Sequence, residues 1–152
     1  MSAMTMQRRL FVVPAERSGP TTIELGNWEV HDATRLRVRQ LCVPQATTDE
    51  STTRQSDAVL LVVEGATRGT LAPHVYKSAD GSRTLHYTLA VPMVEGQTTT
   101  YVSSDLSWDV DTPARFNIDS VTIHLIRAST GMELDYSDDV HHSILLELEF
   151  AC

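Results

Sequence analysis

From Ser143 to Phe150 the chain alternates residue by residue between two kinds of side chain. Ile144, Leu146, Leu148 and Phe150 fall on one face; Ser143, Leu145, Glu147 and Glu149 fall on the other. A period of two is the signature of a β-strand with one face buried and one wet. The same pattern appears upstream in Phe116 and Ile118, and resumes at Val121, Ile123 and Leu125 after a one-residue break at Asp119-Ser120. One extra residue turns every later side chain to the opposite face, so the break reads as a bulge or bend within one strand. The 18 Thr and 15 Val fit pleated surfaces. These features predict an all-β fold.

Walking along the sequence, short strands are predicted at Leu10–Val13 and Thr21–Leu25, and a longer one at Thr34–Val43. In the longer one Leu36 and Val38 face inward and Arg35, Arg37 and Arg39 outward, before Gln40 shifts the register to Leu41 and Val43. Pro44 ends it. A polar stretch, Gln45 to Asp57, follows as a long loop. Ala58–Val63 is continuously apolar, the mark of a strand covered on both faces. Pro73–Lys77 and Thr84–Val91 are joined by a turn at Asp80-Gly81. Thr98–Val102 and Leu106–Val110 read as short rim strands, and a turn at Ser129-Thr130-Gly131 precedes the last strand.

Eight to ten strands at this spacing make a sandwich or barrel. Uneven loops favour an antiparallel β-sandwich, a single jelly roll of about eight strands, over a closed lipocalin-like barrel. Residues 1–152 form one domain with a short N-terminal arm at about 1–7. The predicted core holds Leu36, Val38, Leu60, Val62, Leu85, Leu89, Phe116, Ile118, Ile123, Leu125, Ile144, Leu146 and Leu148.

Charge narrows the partners. The net charge is −8, and it lies in the second half: residues 78–152 carry three Lys/Arg against twelve Asp/Glu, while residues 1–77 carry nine against eight. Duplex affinity depends on neutralising phosphates with Lys and Arg, so direct nucleic-acid binding is not expected. Two cysteines, Cys42 and Cys152, make no disulfide framework. Met1–Met6 holds no apolar stretch of the kind that opens a secretory signal, and no run reaches membrane-span length.

Chemistry leaves few traces. Jelly-roll metal enzymes need a His-x-His or His-x-Asp/Glu pair on one strand face. None of His31, His74, His86, His124, His141 and His142 supplies one. The acidic cluster Asp135–His142 lacks the punctuated spacing of a calcium loop, and adjacent histidines on a strand point apart. Asp105, Asp109 and Asp111 around Trp108 read as an acidic surface. No nucleophile elbow or phosphate-cradling glycine loop is present. Trp28, Trp108 and the tyrosines suit packing or an interface, with sugar stacking as the sharper alternative. No catalytic residue, cofactor or metal is predicted.

The segment from Phe116-Asn117-Ile118 through Val121-Thr122-Ile123-His124-Leu125, the Ser129-Thr130-Gly131 turn, Met132-Glu133-Leu134 and the Ile144–Phe150 strand resembles the C-terminal hairpin of single jelly-roll capsid proteins. The resemblance is especially to the penton and minor capsid proteins of large icosahedral double-stranded DNA viruses, over about residues 107–150. The resemblance implies a structural virion protein without enzymatic activity, assembled in the host cytoplasm or nucleus. Its partners would be copies of itself, a pentamer favoured, and other capsid proteins. An interface is expected where Arg35, Arg37 and Arg39 of one copy meet the acidic Glu133, Asp135, Asp138 and Asp139 of the next. The alternative is an intracellular β-sandwich binding module of lectin-like, nucleoplasmin-like or tumour-necrosis-factor-like type.

Overall fold

In the computed structural model of the protein the described residues are 5–15, 21–44, 57–65, 71–93, 98–103, 107–134 and 142–152. They form eleven strands: β1 (Met6–Ala15), β2 (Thr21–Glu24), β3 (Val30–Val43), β4 (Asp57–Glu64), β5 (His74–Lys77), β6 (Thr84–Tyr87), β7 (Leu89–Met93), β8 (Thr99–Val102), β9 (Val110–Ile118), β10 (Ser120–Arg127) and β11 (His142–Ala151). A single 3-10 turn, Gly26–Trp28, joins β2 to β3. Among the described residues no helix is long and apolar enough to cross a membrane.

The pairings are antiparallel and nested. β1 pairs with β11, β2 with β10, β3 with β8 and β9, and β4 with β7. This is one long hairpin ribbon, folded over and closed by pairing β11 with β3 and β10 with β4. The result is two sheets, β1-β11-β3-β8 with β9 also on β3, and β2-β10-β4-β7. That is the strand order of a jelly roll. Eleven strands reduce to the expected eight for two reasons. β8 and β9 follow each other along one edge of β3, and β5–β6 is a separate hairpin inserted between β4 and β7.

Two continuous strands of the sequence reading are instead pairs of strands in different sheets. β9 ends at Ile118 in the larger sheet and β10 starts at Ser120 in the smaller one, so the break at Asp119 is a corner, where the Asp119 carbonyl accepts the Leu25 amide. Phe116, Ile118, Val121, Ile123 and Leu125 all enter the core from opposite walls. At Thr88 the chain likewise passes from β6 to β7. Its buried hydroxyl donates to the Leu71 carbonyl at 2.5 Å and accepts the Val63 amide at 3.0 Å. No strand covers residues 107–109; β9 begins at Val110.

The core follows the alternation, with two corrections. Leu85 is only half-buried because β6 lies outside both main sheets, and Leu89, at the start of β7, packs half-buried against the core. On β4, Val59, Leu61 and Val63 join the central core, while Leu60 and Val62, on the opposite face, are buried as well. The strand predicted to be covered on both faces is so. Met6 and Gln7 start β1 and pair with Ala151 and Phe150, and Thr5 exchanges backbone hydrogen bonds with Cys152. Residues 5–7 of the predicted arm therefore belong to the chain's own sheet.

Two turns carry glycines with positive φ for identifiable reasons. Gly81 (φ 74°) closes the β5–β6 hairpin, where the Ser78 and Ser82 hydroxyls and the Ser82 amide converge on Asp80 and hold its carboxyl far below the usual range. Gly131 (φ 72°) closes the turn after β10. A Cβ there would lie 3.0 Å from Arg83 Nη1, while Arg83 Nη2 donates to the Ser129 carbonyl at 2.7 Å. Replacing Gly131 with Ala imposes both a left-handed backbone on a side chain and a collision with this strut. The expected loss is about 1–3 kcal/mol by urea denaturation; a neutral result would contradict the turn geometry.

Candidate functional site

Outward-facing residues of the larger sheet form cross-strand rows fixed by register. Arg8, Glu149 and Arg37 are directly opposite one another on β1, β11 and β3. Leu10, Glu147, Gln40 and Val102 make the next row, and Val12, Leu145, Cys42 and Thr100 the one after. One end of this face is thus a charge ladder and the other is largely apolar.

The charge ladder is closed within the chain. Glu149 accepts from Arg8 Nε at 2.8 Å and lies 3.3 Å from Arg37 Nη1. Arg37 and Glu149 side chains are only 6% and 4% exposed, and Trp108 lies over the guanidinium at 4.2 Å from its ring centroid. Arg37 Nε also donates to the Ser107 carbonyl at 3.0 Å. Planar guanidinium suits this role, since it stacks and hydrogen-bonds at once. Arg39 and Gln40 sit at the β-bulge opposite Glu147–Leu148, and both reach Glu147, at 3.9 and 3.5 Å. Arg35 pairs with Asp111 at 3.4 Å.

The arginines expected at an interface between copies are already engaged within one copy. Arg35, Arg37 and Arg39 find acidic partners in their own sheet, and Arg37 is buried under Trp108. Glu133 lies on the other sheet, bridged to β10 at Ile126, where it meets His124 Nδ1 at 2.7 Å. His124 Nε2 faces Glu64 at 3.4 Å. Asp135, Asp138 and Asp139 lie outside the described residues, as do His141 and Asp105. Among the described residues no group of three His, Cys, Asp or Glu side chains is arranged to hold a metal ion.

Asp109 has a structural task the sequence did not signal. Between β8 and β9 no described strand residue flanks the edge of β3, and the Asp109 carboxylate accepts the Val38 amide there at 2.7 Å. Burial pushes its carboxyl above the usual value; the Val38 amide, then His74 and Arg37, offset part of that rise. A carboxylate raised on folding lowers stability at neutral pH, and the penalty is relieved as pH falls through the folded value. Asp109→Asn keeps the acceptor and removes the buried charge. It should match or exceed the parent at neutral pH, with the advantage shrinking in mild acid. Asp109→Ala orphans the Val38 amide and should cost about 1–3 kcal/mol. Denaturation at both pH values separates the two, and equal losses in both variants would contradict this role.

Beyond the ladder, the face is open. Leu10 is 56% exposed, and Val12 and Val102 are each 67% exposed. On the outward face of the smaller sheet, Leu60 and Val62 of β4 are buried instead. The sequence placed the first strand at Leu10–Val13 and so recovered part of this row; Arg8 was missed because Gln7-Arg8-Arg9 interrupts the apolar rhythm.

Comparison with known proteins finds no family model, no curated protein and no solved structure that matches the chain.

Proposed function

We propose that this protein is a structural component of a virion shell, a single jelly roll that works by assembling with copies of itself and with other capsid proteins, a pentamer being the favoured stoichiometry. The carrying observation is the open outer face of the larger sheet: Leu10, Val12 and Val102 stand in solvent while the charged residues beside them are paired within the chain. Exposed apolar rows rimmed by polar groups mark interaction surfaces. Pre-paired charges can approach another protein without leaving an ion unmatched. The virion assignment rests on the resemblance of residues 107–150, and the jelly-roll strand order is compatible with it.

Mass spectrometry of purified virus particles tests the assignment. The chain is expected as a stoichiometric component; its absence from particles made by a virus that encodes it would overturn the reading.

A further inference from the structure

We propose that β1 is a docking edge for a second copy of this chain, pairing antiparallel with its own counterpart about a two-fold axis at Leu10, so that the two larger sheets join into one. The inference rests on the assembling role only in so far as it concerns self-association; a two-fold contact pairs copies and does not itself close a ring of five, so the edge geometry carries it independently of the pentamer.

β1 pairs with β11 over ten consecutive residues without a shift, and among the described residues no strand lies on its other side. Natural edges are guarded against such pairing by shortness, bulges, prolines or projecting charges. β1 is ten residues long and unbulged, and its one proline, Pro14, is next to its end. Its two arginines are engaged locally. Arg8 bonds Glu149, and Arg9 reaches the Trp28 carbonyl, the Gln7 side chain and the Arg8 carbonyl. An incoming amide would replace only the last of these.

The occupant follows from register and charge. Joining two sheets with their outer faces on the same side requires outward residues opposite outward residues. With Leu10 on the axis, Leu10 meets itself, Arg8 faces Val12 of the other copy, and Arg9 faces Phe11. Moving the axis to Arg9 would set Arg9 against Arg9, and like charges directly opposite are unfavourable. The strand is thus self-complementary about Leu10; an axis at Phe11 would set Pro14, which has no amide to donate, opposite Arg8 rather than the strand-end Met6. Glu147 and Glu149 on the adjacent β11 offset the four arginines gathered at the seam. The chain's overall charge of −8 resists association elsewhere.

Cross-linking tests this directly. Under mild oxidation Leu10→Cys should give a disulfide-linked dimer in high yield. Val102→Cys, on the same face but on β8 rather than β1, should not, and neither should the parent. The double variant Leu10→Lys/Val12→Lys, altering two exposed side chains, should keep the parent's circular dichroism and weaken self-association about tenfold or more by sedimentation. Failure of Leu10→Cys to cross-link, or assembly undiminished in the lysine variant, overturns the edge pairing and leaves the assembling role standing. Efficient cross-linking by a chain absent from virions overturns the virion role and leaves the edge pairing standing.

Discussion

Truncating Leu146 to alanine should lower stability by about 2–5 kcal/mol. Leu146 is fully buried in β11, opposite Phe11 on β1 and Leu41 on β3, so three adjacent strands lose packing at one point. The surrounding β-sheet backbone is held by its ladders and cannot collapse into the space, which places the cost toward the upper part of that range. Leu145→Ala, the neighbouring residue of β11 that faces outward and is only half-buried, should cost markedly less. Urea denaturation of the two variants side by side checks the inward and outward assignment of the strand pair. Equal effects would contradict it.

The second large effect concerns Glu149. Replacing it with alanine leaves the buried Arg37 guanidinium facing Trp108 and the Ser107 carbonyl without its carboxylate. Removing one partner of a buried ion pair costs about 3–5 kcal/mol, because the remaining charge stays desolvated. Arg8, 58% exposed, simply returns to water. Replacing both partners, Arg37→Met with Glu149→Leu, should be much milder than Glu149→Ala alone, since neither charge is then buried. A double variant as unstable as the single one would mean the ladder stabilises the sheet through the charges themselves, contrary to this account.

How much of this was legible in the sequence depends on what kind of interaction decides each feature. The strands β4, β10 and β11 were legible because burial acts locally on alternate residues. The bulge at Arg39–Gln40 was legible for the same reason: Val38 and Leu41 must both face inward, and only an extra residue permits that. The corner at Asp119 was not. Two strands on opposite walls of a sandwich both send alternate residues inward, so alternation cannot distinguish a bend in one sheet from a crossing between two. The beginning of β1 was missed because Gln7, Arg8 and Arg9 have little apolar content, and their strand conformation is imposed by hydrogen bonds to β11 at the far end of the chain. The acidic partners of Arg35, Arg37 and Arg39 were visible as residue types. That they sit in the same sheet was not, because cross-strand register is a long-range property. Asp109 gave no signal at all: an aspartate bonded to a backbone amide looks in sequence like any other acid in an acidic stretch.

Sedimentation equilibrium of the unmodified chain, across a wide concentration range at physiological salt, tests most directly whether this jelly roll works by assembling. A self-associated species that grows with concentration is expected, and it should persist when salt screens exposed charges, since the contact is apolar and backbone-mediated. A monomer at every concentration would contradict it.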